Sequence, residues 1–227
     1  MILNIETSTE VCSVALQRGP QLIGIEESGI PLSHTRTLTL QIQTLMKSSG
    51  QNMSQLSAVS VSSGPGSYTG LRVGLSTAKG ICYAGGIPLI GVSTLKGLAN
   101  QVIQQAVQPY DIIIPMLDAR RLEVYTTIYN SVGEDISPLK AILLDPLILR
   151  EYIERGDKIA IVGPGARKFF THFEIPQAEF VDLPVSAKNM VEESWNRYQS
   201  QQFEQLAYFE PQYLKPANVT KSKKKHF

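Results

Sequence analysis

The hydrophobic and polar positions in the first half of the chain predict three short strands followed by alternating helices and strands. The predicted strands occupy residues 2–5, 11–16, 21–27, 58–62 and 88–92, and the predicted helices residues 33–49, 69–84 and 93–106. Polar and turn-forming residues separate the first three strands, so these strands are expected to form an antiparallel meander. The predicted order of the first half is therefore βββαβαβα.

The second half of the chain largely repeats this order. Its predicted strands occupy residues 111–117, 122–129, 139–143 and 158–162, and its predicted helices residues 145–156, 163–172 and, in two pieces, 186–207. A repeated three-strand meander followed by helix and strand is typical of two RNase-H-like lobes, the plan of actin, hexokinase and Hsp70. We therefore predict an α/β protein with an N-terminal lobe at 1–106 and a C-terminal lobe at 107–227.

The composition is that of a folded protein, because 43% of the residues are hydrophobic and 18% are charged. No apolar run reaches the roughly 18 residues that predict a transmembrane helix, and the N-terminus lacks the features of a signal peptide. We therefore expect a cytoplasmic protein without a membrane segment. Cys12 and Cys82 lie in apolar runs, which predicts two buried thiols, with a disulfide between them as the alternative.

The positive charge of the chain is concentrated at its C-terminus. Residues 215–227 contain five lysines and no acidic residue, and subtracting these charges from the net charge of +1 leaves −4 on the other 214 residues. A body with net negative charge binds nucleic acid poorly by electrostatics alone. We therefore interpret the C-terminal lysines as a mobile, solvated tail, with any RNA contact nonspecific and sensitive to salt.

A glycine-rich segment joins the strand at 58–62 to the helix at 69–84, and nine of the 17 glycines fall between residues 64 and 97. The turn at 64–66 before a helix fits either a phosphate cradle or an ordinary strand-to-helix turn, and its spacing is not that of a Walker motif. Within the helix, Gly70, Gly74 and Ala78 follow one another every four residues. This stripe packs either on the protein's own sheet or on another polypeptide, and we favour the second interpretation.

These motifs resemble those of the bacterial TsaB (YeaZ) family. The matching segments are IETST at 5–9, CSVAL at 12–16, GPGSYTGLRVG at 64–74, AKG at 78–80, GVSTL at 91–95, DAR at 118–120 and EVY at 123–125. The resemblance implies an actin-like ATPase (ASKHA) fold and a role in forming N6-threonylcarbamoyladenosine at position 37 of tRNA (t6A37). It also implies a catalytic paralogue, TsaD, and an ATPase, TsaE, as partners, with tRNA reached indirectly through their complex. Glu6 stands where many relatives have aspartate.

The resemblance further implies that the catalytic subunit holds a metal with a His-x-x-x-His pair. Thr94 and Leu98 occupy the matching positions here, and neither side chain can replace an imidazole on a transition metal. We therefore predict a non-catalytic subunit without metal or cofactor. The alternative is an actin-like ATPase or phosphotransferase that uses Glu6 and Asp118, because these carboxylates occupy equivalent places in the two repeats.

The N-terminal lobe is predicted to bind the catalytic paralogue, because the resemblance implies that the N-terminal lobes of the two subunits pair. Without its partner, the same surface is expected to pair with a second copy of this chain. The predicted partner-binding residues are His34, Leu38, Ile42, Leu45, Met46, Gly70, Arg72, Gly74, Leu75 and Ala78.

Overall fold

A computed structural model of the chain describes residues 1–28 and 34–215, which form two β-sheets with helices packed on their faces. The first sheet contains β1 (Ile2–Glu6), β2 (Cys12–Arg18), β3 (Gln21–Ser28), β4 (Ala58–Gly64) and β5 (Leu89–Ser93). The strands lie in the order β3-β2-β1-β4-β5, with β2 antiparallel to β1 and β3, and with β1, β4 and β5 parallel. The central strand β1 is buried along its whole length, which accounts for its short apolar run.

The second sheet repeats the strand order of the first. It contains β6 (Ile112–Asp118), β7 (Glu123–Thr126), β8 (Tyr129–Asn130), β9 (Lys140–Leu143), β10 (Ile159–Val162) and β11 (Ala178–Val181). The order is β11-β10-β6-β7-β9, and β8 pairs with β6 off this path. The strand β7 is antiparallel to its neighbours β9 and β6, whereas β6, β10 and β11 are parallel to one another. This is the arrangement of the first sheet. The predicted actin-like fold with two RNase-H-like lobes is therefore confirmed.

Six helices are present among the described residues: α1 (His34–Ser48), α2 (Tyr68–Gly85), α3 (Thr94–Gln105), α4 (Arg150–Arg155), α5 (Pro164–His172) and α6 (Val191–Gln199). The longest, α2, begins after Ser67, whose hydroxyl accepts the Gly70 N–H at 3.2 Å. It ends at Gly85 and is capped by Gly86, whose φ of 60° lies in the left-handed region that favours glycine. None of the helices in the described ranges is long and apolar enough to span a membrane.

The core of the first lobe lies between its sheet and the helices α1 and α2. The apolar side chains of α1 that point into this core are Leu38, Ile42, Leu45 and Met46. Cys12 and Cys82 belong to the same cluster and are both free thiols, which confirms the first interpretation of the cysteines and excludes the disulfide.

On each side of the predicted boundary after residue 106, one helix packs on the sheet of the other lobe. The helix α3 lies before the boundary, yet Leu95, Leu98 and Val102 pack in a core cluster of the second sheet. The helix α6 lies after the boundary, yet Trp195 and Tyr198 pack on the first sheet. The two lobes are therefore joined by exchanged helices, and the division at residue 106 stays a prediction.

Two predicted elements differ from the structure, and one strand was not predicted. The helical region at 186–207 ends at Gln199, and Gln201, with φ of 55°, turns the chain so that it runs back along the first lobe. The predicted strand at 122–129 is split into β7 and β8, because the two residues between them bond to Ser137: the Thr127 hydroxyl donates to its carbonyl and the Ile128 N–H donates to its hydroxyl. The short strand β11 was not predicted, because four residues of mixed polarity give no strand pattern.

Candidate functional site

A cleft of about 1140 Å³ lies between the two lobes. Most of its lining belongs to four segments: the turn after β1 at 8–11, the glycine-rich segment at 65–70, the end of β6 with the loop after it at 117–121, and the C-terminal residues 212–215. The first three follow the equivalent ends of β1, β4 and β6, because the two lobes share one topology. The fourth comes from a part of the chain for which we predicted no contact.

Of the two carboxylates in the alternative hypothesis, only Asp118 lines this cleft. The Glu6 side chain is buried beneath the lining, and its carboxylate accepts the Ser8 N–H at 2.6 Å. Burial raises the pKa of Glu6, against the opposing effect of its hydrogen bonds with Ser8 and Ser62. The Asp118 carboxylate pairs with Lys168 Nζ at 3.0 Å and accepts the Arg120 N–H at 2.6 Å. The structure therefore does not present the two carboxylates together to a ligand in the cleft.

The positions that match the metal-binding histidine pair of the catalytic subunit lie inside the protein. Thr94 begins α3 and is buried, with no hydrogen-bond partner for its hydroxyl, and Leu98 packs in the core of the second lobe. Across residues 1–28 and 34–215, no three His, Cys, Asp or Glu side chains are grouped as a metal site would require. These two positions therefore contribute to packing in this chain.

The predicted glycine stripe of α2 packs on the chain's own turn between β1 and β2. A Cβ atom at Gly70 or Gly74 would overlap the backbone oxygen or the hydroxyl of Thr7. The Thr7 hydroxyl donates to the Gly70 carbonyl at 2.9 Å, which fixes the helix against the turn. The close approach made possible by the glycines is therefore used within this protein.

This packing corrects the placement of the predicted partner-binding residues. Among those whose side chains are described, only Arg72 is exposed. The buried ones are Leu38, Ile42, Leu45, Met46, Gly70, Gly74, Leu75 and Ala78. The side chain of His34 lies outside the described part of the structure. The prediction that this side of the N-terminal lobe binds a partner remains, but other residues form its surface.

The exposed face of α2 carries Arg72, Ser76, Gly80 and Tyr83 at helical spacing. Gly80 is the unusual member, because a Cβ there would meet nothing within 4 Å and glycine in a helix interior costs about 1 kcal/mol relative to alanine. The Tyr83 side chain is 84% exposed, and on the neighbouring helix α1 Leu40 is 60% exposed. The signal for these residues was available, since they lie opposite the buried positions of the same helices.

The C-terminal residues form one wall of the cleft. Tyr213 lies against Tyr68 with ring centroids 4.8 Å apart, and its hydroxyl accepts the Arg72 Nε–H at 3.1 Å. Lys215 donates to the Ala119 carbonyl at 3.1 Å and pairs with a carboxylate of the second lobe. The interpretation of 215–227 as a solvated tail is therefore wrong for Lys215. The lysines at 221–225 lie outside the described residues.

Comparison with known proteins agrees with this architecture. A family model described as "TsaD: tRNA N6-adenosine threonylcarbamoyltransferase" matches residues 30–221. The chain is 34% identical over 129 residues to the tRNA threonylcarbamoyladenosine biosynthesis protein TsaB of Escherichia coli, covering 57% of this chain and about half (54%) of that relative. It is 30% identical over 162 residues to the protein of the same name from Buchnera aphidicola of Acyrthosiphon pisum, covering 70% of this chain and 71% of that relative.

A solved structure from Pseudomonas aeruginosa, described as similar to peptidase YeaZ, superimposes with a TM-score of 0.82 at 23% identity. The superposition covers 94% of this chain and 99% of the other. At 23% identity the superposition shows that the two proteins share a fold. Membership of a family is shown instead by the sequence relatives and the family model. The chain therefore belongs to the TsaB (YeaZ) family.

Proposed function

We propose that this chain is a non-catalytic subunit required for the formation of t6A37 in tRNA. In this proposal it binds and activates a TsaD-type catalytic subunit, together with the ATPase TsaE, and reaches tRNA through their complex. Support comes first from the relatives, whose names place them in threonylcarbamoyladenosine biosynthesis.

A non-catalytic role is supported by the residues that stand where a related enzyme would have its metal-binding or nucleotide-binding groups. Thr94 and Leu98 replace the histidine pair that the family resemblance assigns to the catalytic subunit, and both are buried. Glu6 has no access to the cleft, and Asp118 is already paired with Lys168. An ATP-hydrolysing mechanism would need these carboxylates free to hold a metal and nucleotide. We therefore favour the subunit role over the ATPase alternative.

The partner surface in this proposal is the exposed side of α1 and α2. Gly80 is the main support for this surface, because no contact within the described chain requires a glycine at this exposed helical position. A missing side chain there lets the helix of another subunit approach closely. Leu40 and Tyr83 add exposed apolar and aromatic area of the kind that is enriched at protein interfaces.

The same surface is proposed to pair two copies of this chain when the catalytic subunit is absent. Homodimerisation and partner binding would then compete, since both would use α1 and α2. Adding the catalytic subunit to the purified chain should convert homodimers into heterodimers, and light scattering during size-exclusion chromatography would measure this exchange.

Reconstitution of the modification tests the proposed function directly. Unmodified tRNA, the threonylcarbamoyl donor, the catalytic subunit and the ATPase are incubated with or without this chain, and t6A is quantified by mass spectrometry of the nucleosides. We expect t6A to form only when the chain is present. A matched reaction contains this chain without the catalytic subunit and should form none. Equal t6A formation without this chain would refute the proposal.

A further inference from the structure

The C-terminal segment at 203–215, called the strap here, begins on the outer edge of the first sheet. The Glu204 N–H donates to the Leu89 carbonyl of β5 at 2.9 Å, which adds a bridge to that edge. The Phe209 ring occupies the space where a side chain at Gly91 would lie, and it packs against the core of the first lobe. The first half of the strap is therefore anchored by a backbone bridge to the sheet edge and by partly buried apolar contacts with the core.

The second half of the strap follows the first lobe to the mouth of the cleft. The Gln212 N–H donates to the Ser63 carbonyl at 2.8 Å, at the end of β4. Next along the strap, the Tyr213 ring packs on Tyr68 at the start of α2, and the guanidinium of Arg72 lies 4.0 Å from the Tyr68 ring. These contacts hold the strap to the first lobe at one side of the cleft.

Two residues later the strap contacts the second lobe. Lys215 Nζ donates at 3.1 Å to the carbonyl of Ala119, in the loop after β6, and pairs with the carboxylate of Glu123, at the start of β7. The ammonium also lies 5.8 Å from the centre of the Tyr125 ring. Tyr213 and Lys215 thus bind opposite sides of the cleft and connect the two lobes across it.

These bridging contacts differ in kind from the helices that join the lobes elsewhere. The exchanged helices α3 and α6 are held by buried and partly buried apolar side chains, whereas the bridge of the strap is polar and its Lys215 and Glu123 side chains are 29% and 33% exposed. Partly exposed ion pairs and hydrogen bonds contribute little to global stability and open locally before a core does. The strap can therefore release the cleft while both lobes remain folded.

We propose that the strap is a releasable clasp that sets how far the cleft between the two lobes opens. Phe209 and Glu204 keep the strap attached to the first lobe, while Tyr213 and Lys215 fasten it across the cleft. When the second pair of contacts breaks, the loop of the second lobe and the start of α2 lose a common tether. Opening is then local to the cleft and leaves the two cores intact.

Hydrogen–deuterium exchange of the full-length chain tests this clasp, and it needs no partner protein. The double variant Tyr213→Ala/Lys215→Ala removes both cleft contacts. Exchange should speed up about threefold to tenfold in the peptides covering 118–123 and 67–71, the range expected for losing one or two net hydrogen bonds. Exchange in β1 and β10 should stay unchanged.

The matched control is Tyr208→Ala/Lys140→Ala, because Tyr208 belongs to the strap but is 81% exposed, and Lys140 lies on the exposed edge strand β9. The control should exchange like the unaltered chain. Equal exchange in the control and the Tyr213→Ala/Lys215→Ala variant at the two cleft peptides would overturn the proposal.

A milder variant covers the case in which the double alanine variant loses protection throughout both sheets. Tyr213→Phe/Lys215→Met keeps the ring and the aliphatic stem but removes the hydroxyl acceptor and the ammonium group. We expect exchange to speed up about threefold in the same two peptides, at the lower end of the range, because the hydrogen bonds are lost while the ring packing stays. Unchanged exchange at both peptides in this variant would also overturn the clasp. Because no partner is used, either result leaves the proposed function to its own test.

Discussion

Replacing Gly80 with leucine should separate partner binding from folding, because the structure predicts no loss of stability and the proposed interface predicts weaker binding. A Cβ at Gly80 meets nothing within 4 Å of the described chain, and the position is exposed, so the chain's own packing does not require glycine there. Leucine also favours the helix interior over glycine by about 0.8 kcal/mol. We therefore expect the isolated variant to melt at the same temperature as the unaltered chain or slightly above it.

Binding of the Gly80→Leu variant to the catalytic subunit should be weaker than that of the unaltered chain. The leucine side chain would stand between α2 and the helix of the partner, and overpacking of this kind costs about 1–3 kcal/mol. Such a loss corresponds to a complex roughly tenfold to hundredfold weaker. Calorimetric titration of the catalytic subunit with the Gly80→Leu variant measures this change, and differential scanning calorimetry of the variant alone measures its stability.

The matched control is Thr171→Leu, which adds the same side chain at an exposed position of α5 on the second lobe. This variant should bind the catalytic subunit normally. If Gly80→Leu binds as tightly as the control, the exposed face of α2 is not the interface. If Gly80→Leu unfolds instead, packing within the chain itself requires the glycine, and our interpretation of Gly80 is wrong.

Three further predictions concern folding, pH and metal. Gly74→Ala should lower the free energy of unfolding by about 1–3 kcal/mol because its methyl would overlap the Thr7 hydroxyl, whereas the control Gly80→Ala should raise it by about 1 kcal/mol; equal urea midpoints would contradict this. The raised pKa of Glu6 means that its ionisation is disfavoured in the folded state. The free energy of unfolding of the unaltered chain, measured in urea relative to the Glu6→Gln variant, should therefore fall from pH 4 to pH 7. A difference that stays constant with pH would show that Glu6 titrates as in an unfolded chain. The purified chain should carry no stoichiometric zinc or iron by elemental analysis and hydrolyse ATP negligibly; one bound metal per chain, or turnover lost in Asp118→Ala, would favour the ATPase alternative.

Most strands and helices were predictable from the sequence, because their signals are local. Alternation and apolar runs predicted β1 to β6, and helical spacing predicted α1 and α2 to within a few residues. The repetition of one order of elements predicted two lobes of the same topology, and the motifs predicted the family. The lack of a histidine pair at Thr94 and Leu98 was likewise readable from residue identity alone.

The side of each helix that packs on the protein's own core was decided only by tertiary structure. Gly70 and Gly74 appeared as an open stripe in the sequence, but the distant turn at Thr7 fills it, and Gly80 remains open instead. Helical spacing defines a stripe without specifying what covers it, because the covering residue lies more than 60 positions away. The strap is a second case, since Lys215 in a lysine-rich terminus gives no local sign of its contact with Glu123, 92 residues earlier. Local spacing therefore determined the elements and the family, whereas the surface for a partner and the contacts across the cleft depend on packing between distant segments of the chain.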